Sequence, residues 1–123
     1  MSDRKKILVV DDDPTICLFC RTVLESGGYQ VFSASTAREG LALARSERPD
    51  LVVLDVMMEE VDSGFNAARE IAAEQPELPI FMLSSIAEAS TRVFDFTLLP
   101  VAQLLDKPID PAVLLRKVKL QLG

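Results

Sequence analysis

Residues able to do chemistry stand behind short apolar runs in this chain. Asp11-Asp12-Asp13 follow Ile7-Leu8-Val9-Val10, and Asp55 follows Leu51-Val52-Val53-Leu54. Ser84-Ser85 follow Ile80–Leu83, and Asp106-Lys107 follow Gln103-Leu104-Leu105. Ionised carboxylates brought within a few ångströms repel one another unless a cation neutralises them or their pKa values rise. A donor set made only of oxygen favours a hard cation, and Mg²⁺ typically uses carboxylates, waters and phosphate oxygens. A carboxylate beside such a cation can attack a phosphoryl group and become an aspartyl phosphate. Transfer then needs positive charge and hydrogen-bond donors around the phosphoryl oxygens, which Lys107 and Ser84 can supply. The plainer reading makes the aspartates helix caps and Lys107 a surface charge. For Asp13, directly before Pro14, that capping reading is preferred. For Asp12, Asp55, Ser84 and Lys107, joint placement at successive strand ends favours the chemical one.

Composition narrows the classes further. The chain has 123 residues, 49% of them hydrophobic and 26% charged, which suits one globular domain over residues 1–123. Thirteen Lys and Arg against 19 Asp and Glu leave a charge of −6, which argues against direct nucleic-acid binding. No histidine is present. That excludes a Ser-His-Asp triad, His-ligated zinc and autophosphorylation on histidine. The basic start Arg4-Lys5-Lys6 precedes only four apolar residues, too few for a signal peptide. No run approaches the roughly 20 apolar residues of a membrane span. A cytoplasmic protein is expected, with no membrane partner. Cys17 and Cys20 have C-x-x-C spacing but lie within a helical pattern, not at its start where a thiolate would be favoured. They are expected to be one buried and one partly exposed small apolar residue.

The elements that must position these groups alternate along the chain. Strands are predicted at Lys5–Val10, Gln30–Ala34, Leu51–Leu54, Ile80–Leu83 and Gln103–Leu105. Helices are predicted from Pro14 to the Gly27-Gly28 stop, over Thr36–Glu47, over about Phe65–Glu74, over Ala87–Phe96, and from Pro111 onward. Five (βα) repeats imply a parallel sheet covered by helices on both faces, a doubly wound α/β fold. In such sheets ligands bind beyond the carboxyl ends of the strands, where the polar residues above converge.

These residues resemble the receiver domain of two-component response regulators. The marks are Leu8-Val9-Val10-Asp11-Asp12, Val53-Leu54-Asp55 with Met58, Leu83-Ser84 and Lys107-Pro108. The resemblance covers essentially the whole chain and implies a flavodoxin-like five-stranded sheet of order 2-1-3-4-5. It implies that Asp55 is the phosphoacceptor, supplied by a sensor histidine kinase or a histidine phosphotransfer protein. Asp11, Asp12, Asp55 and the Met57 backbone carbonyl would hold Mg²⁺, and Ser84 and Lys107 would contact the phosphoryl group. It further implies a signalling switch rather than an enzyme, with self-phosphotransfer and slow autodephosphorylation as its chemistry. A downstream protein would dock on the face of strand four, strand five and the last helix, and phosphorylation could drive homodimer formation. The length leaves no room for a separate output domain, so the effect is expected on another molecule.

Three departures from the family pattern stand out. Met58 is followed by Glu59-Glu60-Val61-Asp62-Ser63-Gly64, without the usual proline and with one added residue. Leu104 occupies the place of an aromatic switch residue, so any switch there works by packing alone. Phe94-Asp95-Phe96-Thr97-Leu98-Leu99-Pro100 replaces a small-residue turn before strand five. Met57 and Ile86 flank the expected path of the hydrolytic water, and two apolar side chains there should lengthen the phosphoryl lifetime. Two rival readings are kept. Asp11-Asp12-Asp13-Pro14-Thr15 also fits the first motif of haloacid-dehalogenase-like phosphohydrolases, with Asp11 as nucleophile. A receiver-like interaction module that is never phosphorylated is the other.

Overall fold

A computed structural model describes residues 4–55, 63–84 and 101–123. Five strands, β1 (Lys6–Val10), β2 (Gln30–Ala34), β3 (Leu51–Asp55), β4 (Ile80–Ser84) and β5 (Gln103–Asp106), form one sheet. All four pairings are parallel and the order is β2-β1-β3-β4-β5, as expected from the sequence. The described helices are α1 (Pro14–Ser26), α2 (Ala37–Glu47), α3 (Ser63–Glu74) and α4 (Pro111–Leu122).

Side chains alternate across a strand, so a strand buried on both faces needs apolar residues throughout. Ile7, Val9, Leu51, Val53, Phe81 and Leu83 pack with Cys20 and Leu24 of α1 and with Leu114 and Val118 of α4. Leu8, Val10, Val52, Leu54, Ile80 and Met82 pack with Ala44 of α2 and with Ala67, Ala68 and Ile71 of α3. The two cores explain why the sequence runs are continuous rather than alternating. Full burial of such a side chain contributes roughly 1.5–3 kcal/mol.

Helix entries are set by capping oxygens. Asp13 accepts from the Thr15 N–H at 2.9 Å, with Pro14 at the first helical position where a missing N–H is harmless. Thr36 accepts from the Glu39 N–H at 3.1 Å, and the Ser35 hydroxyl donates to Glu39 Oε1 at 3.0 Å. Asp110 accepts from the N–H groups of Ala112 and Val113 at 2.8 and 3.1 Å. At the exit of α1, Gly28 adopts φ +93°, a conformation without steric penalty only for glycine.

Element ends differ slightly from the sequence reading. β3, β4 and β5 each run one residue further, through Asp55, Ser84 and Asp106, because ladder pairing uses backbone groups whatever the side chain. α3 begins at Ser63 rather than Phe65, since first-turn N–H groups lack intrahelical partners and a glycine there loses little. The helix expected at Ala87–Phe96 lies outside the described residues, as do Ser85, Ile86 and the segment Phe94–Pro100.

Candidate functional site

The strand register brings the polar ends together. Val10 pairs with Leu54 and Asp55 with Leu83, so Asp11 and Asp55 leave adjacent strands at one rim. Both continue the alternation of Ile7, Val9, Leu51 and Val53, which face α1 and α4. Ser84 pairs with Asp106, and the Lys107 N–H donates to the Ser84 carbonyl at 2.8 Å. That bond carries the ladder one step beyond β5. It puts the lysine side chain over the same rim.

Carboxylate oxygens of Asp11, Asp12 and Asp55 all lie within 4.8 Å of one another. Asp11 and Asp55 are buried, while Asp12 is exposed. Lys107 Nζ donates to Asp55 Oδ1 at 2.9 Å and stands 3.4 Å from Asp11 Oδ2. Among the described residues, three carboxylates meet one ammonium in this cluster, an excess of negative charge. Burial pushes the Asp11 carboxyl above the usual carboxylate range, against the Asp13 N–H and Lys107, and the Asp12 charge adds to the rise. For Lys107, burial works against the ammonium, but Asp55 and Asp11 outweigh it and hold its pKa above the ordinary lysine value.

Two buried polar atoms of this rim have no hydrogen-bond partner among the described residues: Asp11 Oδ2 and Ser84 Oγ. A buried polar atom without a partner is destabilising, and such atoms in a fold need a reason. An all-oxygen set with excess negative charge and an unbonded carboxylate oxygen suits a hard divalent cation. The residues present therefore fit Mg²⁺. The buried Ser84 hydroxyl at the end of β4, on the same rim and with no partner among the described residues, suits an incoming oxyanion.

Asp13 takes no part in the cluster and caps α1. Asp106 is exposed and is not in the cluster either. Met57 lies outside the described residues. Of the two thiols, Cys20 is buried and Cys17 half-buried. Cys17 also makes a contact that sequence reading missed: its thiol donates to the Asp11 carbonyl at 3.2 Å. Leu104 is 39% exposed on β5, and no helix among the described residues is long and apolar enough to cross a membrane.

Comparison with known proteins agrees with this geometry. The family model of the response regulator receiver domain matches residues 7–119. The chain is 36% identical to the alkaline phosphatase synthesis transcriptional regulatory protein PhoP of Bacillus subtilis over 115 residues, covering 94% of this chain and 47% of PhoP. It therefore spans less than half the length of that relative. Protein PilH of Pseudomonas aeruginosa is 33% identical, with 92% of this chain and 93% of PilH covered. Among solved structures, a CheY-like response regulator receiver domain protein from Methanospirillum hungatei superimposes with a TM-score of 0.84 at 30% identity, covering 98% and 94% of the two chains. Receiver domains interact with histidine kinases and downstream effectors, and phosphorylation on aspartate and Mg²⁺ binding at an acidic pocket are typical of them. This chain belongs to that family, the receiver domains of two-component response regulators.

Proposed function

We propose that Asp55 is the phosphoacceptor of this receiver domain. The observation that carries the reading is the Asp55 carboxylate, buried at the end of β3, bonded to Lys107 and clustered with Asp11 and Asp12. An Asp55 oxygen forms the new P–O bond as the P–N bond to a donor imidazole breaks, and the imidazole leaves with the electron pair. Lys107 and the Ser84 hydroxyl are suited to the equatorial phosphoryl oxygens, where charge must be stabilised. Asp11, Asp12 and Asp55 would hold Mg²⁺, with the Met57 carbonyl as a further ligand on the sequence reading alone. Bound there, the ion supplies charge neutralisation that lets an anionic donor approach three carboxylates.

The chain holds no histidine, so the phosphohistidine belongs to a partner, a sensor kinase or a phosphotransfer protein. The aspartyl phosphate carries about −1.5 to −2 charge where the carboxylate carried one negative charge, and it competes for Lys107, which now bonds Asp55. Release or reorientation of Lys107 would bias the face of β4, β5 and α4 and so alter a downstream partner's affinity or self-association. The chain itself acts as a signalling phosphoacceptor in the cytoplasm.

Phosphoramidate and Mg²⁺ test the assignment, with the labelled residue located by mass spectrometry after borohydride reduction of the acyl phosphate. Label on Asp55, lost in Asp55→Asn, is the expected result. Label on Asp11 instead would establish the phosphohydrolase chemistry. Absence of both labelling and beryllofluoride binding would establish a module that is not phosphorylated.

A further inference from the structure

Asp11 is held at every polar atom but one. Its N–H donates to the Ala34 carbonyl at 3.1 Å, and its Oδ1 accepts from the Asp13 N–H at 2.9 Å. Its carbonyl accepts from the Cys17 thiol at 3.2 Å. Its Oδ2 has no hydrogen bond among the described residues and is ion-paired with Lys107 Nζ at 3.4 Å. We infer that Cys17 is a positioning residue for cation binding: its thiol, docked on the Asp11 carbonyl, fixes the β1–α1 turn that aims the carboxylate oxygen facing Lys107.

Helix geometry explains how a residue six positions away reaches this carbonyl. Side chains on a helix lean toward its N-terminus, so Cys17, in the first turn of α1, projects back over the preceding turn. The helical bond from the Cys17 N–H to the Asp13 carbonyl, 3.1 Å, anchors its backbone in the same turn. The sulfur also approaches the Ala34 carbonyl at 4.0 Å, so it sits over the junction between the ends of β1 and β2. Outer contacts of this kind orient the groups that bind a metal, and losing them weakens affinity without removing a ligand.

The inference rests on Asp11 being a cation ligand, and Mg²⁺ titration calorimetry separates the two claims. Cys17→Val replaces the thiol by two methyl groups and removes the donor, while Cys17→Ser keeps a donor. Cys17 lines an open groove of about 600 Å³ with Leu18, Arg21 and Ser33, which leaves room for the added methyl. Cys17→Val is expected to raise the Mg²⁺ Kd about three- to tenfold, and Cys17→Ser to stay within about twofold of wild type. The amide proton resonance of Asp13, bonded to Asp11 Oδ1, should move in the valine variant and hold in the serine variant. If the valine variant does not fold, Cys17→Ala removes the donor and carries the same expectation. An unchanged Kd in the folded variant without the donor, or equal weakening by serine and valine, would overturn the positioning role. Folded wild type that gives no saturable Mg²⁺ binding would overturn the cation reading itself, and the inference with it.

Discussion

Lys107 Nζ lies 2.9 Å from Asp55 Oδ1, across 52 residues of chain, and the same ammonium stands 3.4 Å from Asp11 Oδ2. One cation thus ties the ends of β3 and β5 to the turn after β1. It does so where two carboxylates are buried and a third is close.

Removing that cation should leave the Asp11 and Asp55 carboxylates facing one another without the Lys107 charge between them. Lys107→Ala is expected to lose roughly 2–3 kcal/mol of stability in EDTA, because breaking a buried ion pair strands the remaining charges. Millimolar Mg²⁺ should restore most of the loss. Phosphorylation at Asp55 should persist more than partner coupling does. Urea unfolding with and without Mg²⁺ checks the first claim, and equal midpoints for variant and wild type in EDTA would refute it.

Ser84→Ala should separate stability from chemistry. The hydroxyl is buried without a hydrogen-bond partner among the described residues, so deleting it should leave stability unchanged or raise it by up to about 1 kcal/mol. The rate of phosphorylation by a small-molecule donor should fall by roughly a hundredfold, the effect of one lost donor to the phosphoryl oxygens. A stability loss with an unaltered rate would make Ser84 purely structural.

Gly40→Ala sets helix propensity against packing. Alanine in mid-helix gains about 1 kcal/mol over glycine. Its Cβ, however, would stand 2.8 and 3.0 Å from the two Val10 methyls, with Val10 fully buried and directly before Asp11. Overpacking of this kind is destabilising by about 1–3 kcal/mol, so packing should win. A lower urea midpoint is the expected outcome, and a higher one would mean that α2 can lift from the sheet.

Alkaline pH should destabilise the fold through Cys20. Burial, with Asp11 and Cys17 adding to it, pushes this thiol from 9.0 up to about 12. Between those values the folded state keeps a proton that the unfolded state has released. Stability from this group is therefore complete below pH 9 and falls as pH rises, by at most about 1.4 kcal/mol per unit. Cys20→Ala should show a shallower decline than wild type in unfolding free energy from pH 9 to 11, and parallel curves would contradict this. At pH 8, iodoacetamide should label Cys20 only after unfolding.

Much of this was legible in the chain because the signals are local. Continuous apolar runs such as Leu51–Leu54 specify strands buried on both sides, and the capping positions Asp13-Pro14 and Asp110-Pro111 mark where α1 and α4 begin. The resemblance to receiver domains named Asp11, Asp12, Asp55, Ser84 and Lys107, and the fold brings them to one rim. The role of Cys17 was not legible. C-x-x-C spacing suggests a redox pair or core packing, and nothing local tells that one sulfur lands on the carbonyl of Asp11.

By itself, then, the sequence determined which residue types end each strand, which strands are double-sided, and that no histidine lies among these residues. Tertiary structure alone decided that Asp11, Asp12 and Asp55 cluster while Asp13 turns away to cap α1, and that Lys107 bonds Asp55. The physical reason is range. Periodicity, propensity and capping act over a few residues, whereas distances between chain-distant charges follow from strand order, register and the parity of each side chain across the sheet.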